Sequence, residues 1–227
     1  MKVLGIDASK PLGSVGLIDG EQVLGEHKFP IVGNHKSTLL GNIDRLLKET
    51  GVSIEEIEGV SVVIGPGSFT GLRVALATAK GLCMLRELPL AGVSSLEALA
   101  WLLPYCRLPV LATIDARRGE VYVGLYNTES GYPVRLGEAV SLSPEKIFER
   151  FEGEVVIIGD GAETYGDKFE ELYGDKAHVV RTFSSFPGGA LVALLGREKI
   201  LEGELLSLEQ SVPVYIRPAA AIFKKRP

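Results

Sequence analysis

The 227-residue chain alternates between short apolar runs of strand period and longer stretches of helical period, and two of its segments echo each other. Residues 7–18 read DASKPLGSVGLI and residues 115–126 read DARRGEVYVGLY. Each continues an apolar strand into Asp-Ala, turns with a glycine, and enters a second strand containing Val-Gly-Leu, which predicts a β-hairpin twice over. After the first hairpin the pattern predicts a strand at 22–29, a helix at 35–50, a strand at 60–64 and a helix at 70–86. After the second it predicts a strand at 132–142, helices at 144–151 and 163–173 around a strand at 155–158, a strand at 178–181 and a helix at 187–202. Such a repeat predicts two related α/β lobes, 1–105 and 106–227, with a boundary between Leu103 and Leu108. The tail from Val212 carries prolines and reads as an extended segment returning over one lobe.

The two helices of the first lobe differ. Over 35–50, Leu39, Leu40, Ile43, Leu46 and Leu47 form one apolar stripe, with Asn34 as the natural N-cap and Gly51 as the stop. Over 70–86, Leu72, Val74, Ala75, Leu76, Ala77, Ala79, Leu82, Cys83, Met84 and Leu85 cover almost the whole circumference. A helix apolar all round is buried on more than one side. One side faces its own sheet; the other faces either the second lobe or a separate protein. Ala75 and Ala79, four apart, are the residues expected to allow a close helix–helix approach, and a bulky charged residue at either is expected to spare the fold.

Between strand 60–64 and helix 70–86 lies Gly65–Arg73, GPGSFTGLR. Its glycines let the backbone approach whatever lies opposite, and Ser68 or Thr70 can cap the helix. A helix start of this kind suits an anion or a tightly fitted neighbour. It is not a P-loop, because the chain has no Gly-Lys dipeptide, and the Gly-x-Ser-x-Gly elbow of serine hydrolases is also absent.

Composition narrows the function classes. The net charge is −5, and the basic clusters are only Arg117-Arg118 and Lys224-Lys225-Arg226, so another subunit is expected to hold any nucleic acid. Cys83 and Cys106 sit in apolar contexts and read as thiols of a reducing compartment. The start reaches an acid at Asp7 too early for a signal peptide, and the longest apolar helix is interrupted by Lys80; a cytoplasmic protein without membrane contact is expected. His27, His35 and His178 form no metal-binding pair on a helix. Asp7 and Asp115, with Ser9 beside the first, either face each other across a cleft and hold a metal–phosphate group or cap their own turns.

Taken in order, Ile6-Asp7-Ala8-Ser9, His35 with Leu39-Leu40, GPGSFTGLR with Lys80-Gly81-Leu82, Gly92–Glu97 (GVSSLE), Ile114–Tyr122 (IDARRGEVY) and Pro213–Arg217 (PVYIR) closely resemble the bacterial TsaB (YeaZ) family from end to end. The resemblance implies the two-lobed fold shared by actin, sugar kinases and heat-shock chaperones. It implies a part in placing threonylcarbamoyl on the adenosine beside the tRNA anticodon, as a non-catalytic relative of the catalytic subunit TsaD. A small ATPase, TsaE, joins that complex; ATP or ADP and metal belong to the partners, tRNA is met indirectly, and the chain pairs with itself when its partner is absent. The pairing surface implied is on the first-lobe helices, with His35, Leu39, Ile43, Gly67, Ser68, Phe69, Thr70, Arg73, Ala75, Leu76, Ala79 and Lys80 as candidates. Two departures stand out: Ala8 replaces a threonine in the phosphate turn, and Gly41 replaces a proline of the partner-facing helix. The competing readings are a stand-alone ATPase or phosphotransferase using Asp7 and Asp115, and a peptidase, against which the absent metal-binding histidines argue.

Overall fold

The computed structural model describes residues 1–31, 39–181 and 186–216. Strands β1 (Lys2–Asp7) and β2 (Leu12–Asp19) form the first hairpin, followed by β3 (Gln22–Pro30), α1 (Leu39–Thr50), β4 (Gly59–Gly65), α2 (Phe69–Arg86), β5 (Leu90–Ser94) and α3 (Ser95–Trp101). The second hairpin is β6 (Val110–Arg117) and β7 (Glu120–Asn127), followed by β8 (Val134–Arg135), β9 (Val140–Leu142), α4 (Pro144–Arg150), β10 (Val155–Ile158), α5 (Asp160–Tyr173), β11 (Ala177–Val179) and α6 (Gly189–Leu201). The first sheet has the order β3-β2-β1-β4-β5 and the second β8-β7-β6-β10-β11, with β9 also on β7. In both, the hairpin pairs antiparallel and the next two strands join in parallel. The sequence echo is thus a duplication of a whole α/β unit.

Three elements depart from the pattern reading. The apolar run at 132–142 is two short strands, because Gly137 takes φ +123° and breaks the ladder. Strand β5 and helix α3 fill a stretch to which the pattern assigned no element; Ser94 and Glu97 form a capping box there, S-x-x-E, a signal present in the sequence. The N-terminal residues of the helix placed at 35–50, His35 among them, lie outside the described residues.

The lobes exchange their last helices. Helix α3 packs Leu96, Leu99 and Ala100 against Val110, Ala112 and Ile114 of the second sheet. Helix α6 crosses the first sheet instead, where Ala193 packs with Val3 and Ile18. Its free N–H groups are capped from that sheet: Gly189 donates to Ser14 Oγ at 2.9 Å and Ala190 to Glu26 Oε1 at 3.0 Å. A cut at residue 105 would therefore separate each sheet from one of its covering helices. The chain beyond α6 also returns to the first lobe, where Leu206 donates its N–H to Leu90 and Val214 to Ile64, both at 2.8 Å. No helix among the described residues is long and apolar enough to cross a membrane.

Helix and sheet approach backbone to backbone here. A Cβ added at Gly5 would lie 2.0 Å from the Gly189 carbonyl oxygen, and one at Gly16 would lie 2.0 Å from the Ala190 nitrogen. Neither neighbour is a side chain that can swing away. Gly5→Ala is therefore expected to cost about 3 kcal/mol or more, at the upper end of overpacking changes, read as a lowered urea midpoint.

Candidate partner-docking face and inter-lobe cleft

Helix α2 has its start fixed by the GPGSFTG turn. Ser68 is the N-cap, accepting from the Gly71 N–H at 3.3 Å, and its own N–H donates to the Ser9 carbonyl at 2.7 Å. A Cβ at Gly71 would lie 1.9 Å from the Ala8 oxygen, and one at Gly67 2.6 Å from the Ser9 oxygen. Gly67 and Gly71 thus serve a fitted neighbour, the turn of the first hairpin.

So anchored, α2 buries Gly71, Leu72, Ala75, Leu76, Ala79 and Cys83 against its own sheet. Burial pushes the Cys83 thiol up to about 12, so it is an inert core thiol. The expectation for Ala75 and Ala79 is corrected: both are 0% exposed within this chain, and a bulky charged residue there would break the core. Leu76, and Leu39 and Ile43 of α1, are buried in the same cluster and present no outer surface. The outward face of α2 is made instead by Thr70, Val74, Ala77, Gly81, Met84 and Leu85, all exposed, and Leu40 of α1 is exposed as well. Val74, Met84 and Leu85 are 48%, 67% and 83% exposed. A Cβ at Gly81 would meet nothing within 4 Å, so Ala77 and Gly81 are the small pair that permits a close approach.

Of the remaining candidates, Gly67 is half-buried, Ser68 and Phe69 are exposed at the edge of this face, and Arg73 stacks over the Phe69 ring at 3.7 Å. Arg73 Nε also donates to the Tyr215 hydroxyl at 3.1 Å, while Lys80 Nζ donates to the Ser211 carbonyl at 2.6 Å. The two cations, seven residues apart on one side of α2, hold the returning C-terminal segment. This intrachain role was not legible in the sequence, because the register of that segment cannot be read locally.

The cleft between the lobes, about 340 Å³, is lined by Ser9, Lys10, Gly67, Ser68, Asp115, Arg117, Tyr122 and Asp160 among others. Asp7 and Asp115 occupy equivalent places in the two hairpins and do the same thing. Asp7 Oδ1 accepts the Ser9 N–H, and Asp115 Oδ1 accepts the Arg117 N–H, each at 2.8 Å. Lys10 Nζ lies 3.3 Å from Asp160 Oδ2, and Arg117 lies 3.2 Å from Asp115 Oδ2. The metal–triphosphate that this fold family implies does not fit these residues. Each cation lining the cleft is already matched to a carboxylate, so a phosphate there would have to displace that carboxylate. Among the described residues no group of three His, Cys, Asp or Glu could hold a metal ion. Lys10 and Asp160 were missed by the motif reading, although Gly159-Asp160-Gly161 directly after a strand was a visible signal.

Burial pushes the Asp7 carboxyl above the usual carboxylate range, with Ser9 and Lys10 pulling it back. A raised carboxyl keeps its proton longer in the folded state than in the unfolded one. Its contribution to stability is therefore greatest at low pH and falls as pH rises from about 3.8 through the raised value. Asp7→Asn, which keeps the acceptor for Ser9, is expected to flatten that part of the stability–pH curve. It should also raise the melting temperature at pH 7, by about 2–4 °C for each kcal/mol relieved. Melting curves from pH 3 to 8 check both.

Comparison with known proteins agrees with this architecture. A family model described as "TsaD: tRNA N6-adenosine threonylcarbamoyltransferase" matches residues 31–170. The tRNA threonylcarbamoyladenosine biosynthesis protein TsaB of Escherichia coli (strain K12) is 32% identical, over 100% of this chain and 99% of its own length. That of Bacillus subtilis (strain 168) is 28% identical, over 97% of this chain and 96% of its own. The solved structure of YeaZ from Pseudomonas aeruginosa superposes with a TM-score of 0.77 at 28% identity, over 94% of this chain and 99% of that one. A ROK hexokinase from Thermus thermophilus, at 14% identity and a TM-score of 0.52 over 89% of this chain and 100% of that one, shares the fold alone. With a full-length relative at 32% identity, a family model across its middle and the same duplicated sheet order in both lobes, this chain belongs to the TsaB (YeaZ) family.

Proposed function

We propose that this chain is a non-catalytic subunit in the making of threonylcarbamoyladenosine in tRNA, and that it docks a TsaD-type catalytic subunit through the outward face of α2. The observation that carries this reading is the exposed row Val74, Ala77, Gly81, Met84 and Leu85, on a helix whose other side is already core. Large apolar side chains at the end of the row, with small ones in its middle, suit a helix packed closely across it. The relatives' names place them in the same biosynthesis. The net charge of −5 fits a subunit that leaves tRNA to its partner, and the internally matched cleft fits one that leaves nucleotide and metal to the TsaD-type and TsaE-type components. Without the partner, the same face would pair two copies of this chain.

The test uses the outward small pair. Gly81→Arg and Ala77→Arg point into solvent, so the melting temperature should stay within about 2 °C of wild type. Titration with a TsaD-type partner should show affinity reduced at least about 100-fold, as expected at an interface core. Full binding by both folded variants would overturn the assignment of the face. Magnesium-dependent ATP hydrolysis by the pure chain, lost in Asp7→Ala, would overturn the non-catalytic reading.

A further inference from the structure

We propose that Lys10 and Asp160 latch the two lobes together across the mouth of the cleft, so that this chain holds one lobe angle with no nucleotide between them. The apolar join between the lobes runs through the exchanged helices α3 and α6. The latch is a polar tie outside that join. Lys10 belongs to the first hairpin and is only 6% exposed; its ammonium lies 3.3 Å from Asp160 Oδ2 and 4.9 Å from the centre of the Phe186 ring. With Lys10 buried and Asp160 31% exposed, this pair is less screened by water than the exposed Asp44–Lys48 pair on α1. Removing Asp160 takes from Lys10 the counter-charge that the second lobe supplies.

Both ends of the tie are held rigidly. Asp160 opens α5, where the helix N-terminus favours a carboxylate, and its Oδ1 accepts the Asp115 N–H at 2.9 Å. The residues flanking it are pressed onto β6: a Cβ at Gly159 would lie 1.9 Å from the Thr113 oxygen, and one at Gly161 2.8 Å from the Thr113 Cβ. On the other side, the backbone next to Lys10 is fixed by the Ser68 N–H on the Ser9 carbonyl. Ser68 is the N-cap of α2. A continuous chain of contacts thus runs from α5 through Asp160, Lys10, Ser9 and Ser68 to the start of α2. The latch is a property of the chain alone and stands apart from what α2 docks.

Spin labels at the exposed positions of Glu21→Cys and Glu129→Cys, in a Cys106→Ser background, report the distance between the lobes of the full-length chain by pulsed electron–electron resonance. The otherwise unaltered chain is expected to give one narrow distribution. Lys10→Met and Asp160→Asn are each expected to widen it at least about twofold and to speed amide exchange at residues 8–12 about tenfold. Circular dichroism verifies that each variant is folded. Where Lys10→Met does not fold, Asp160→Asn, which alters a less buried residue, decides the matter. A broad distribution without either change, or one as narrow in folded Asp160→Asn as without it, overturns the proposal. Either result leaves the partner titration of α2 untouched.

Discussion

The seat of the Gly65–Arg73 turn on the hairpin at Ala8–Ser9 governs what the rest of this molecule can do. Gly71 and Gly67 lie where any side chain would strike backbone oxygen, and the Ser68 N–H closes the contact on Ser9. Sequence makes the seat possible by withholding side chains at these two places. The seat then fixes the rotation of α2 about its axis, and rotation decides which residues become core. Ala75, Leu76, Ala79 and Cys83 are turned to the sheet, and Val74, Ala77, Gly81 and Leu85 to solvent. A helix with apolar residues on all sides has no preferred rotation of its own, so the contact that sets it is long-range.

That is also why the fold was legible in the sequence while the outward face of α2 was only half so. The duplicated hairpin, DASKPLGSVGLI against DARRGEVYVGLY, was enough to predict two related lobes, because strand alternation and turn glycines are local signals. The doubly apolar character of α2 was likewise local, and it correctly marked the helix as unusual. Which small residues faced outward was not local. Ala75/Ala79 and Ala77/Gly81 have the same spacing and similar chemistry, and only the Ala8–Ser9 contact distinguishes them. The intrachain bonds of Arg73 and Lys80 were hidden for a related reason: their acceptors, Tyr215 and Ser211, lie more than 130 residues away. The exchange of α3 and α6 between lobes is invisible for the same cause. Each has the composition of a buried helix, and nothing in its own sequence names the sheet it covers.

The two aspartates show how one residue pattern supports opposite readings. In a cleft that handles phosphate, carboxylates at the ends of paired hairpins are expected to hold metal. Here each spends an oxygen on its own turn, two residues on, and the nearby cations are matched to carboxylates. The departure at Ala8 fits this arrangement, since the residue is buried at 4% exposure with its carbonyl against Gly71. The Ala8 methyl packs in the apolar core of the first lobe.

Unmet physical demand therefore lies in different places in this fold and in a nucleotide-handling relative of it. Inside the cleft, Lys10 and Arg117 are each matched to a carboxylate of this chain, so an anionic ligand there would have to break ion pairs before making its own. On α2 the reverse holds, because Met84 and Leu85 stand in water, 67% and 83% exposed, with none of the described residues covering them. Burying such side chains favours association by about 25 cal/mol for each Å² removed from water. Binding energy is thus available at the helix face and withheld at the cleft. On this reading the duplicated fold has become a frame that holds α2 at a fixed angle for another protein, and the cleft ion pairs serve that frame.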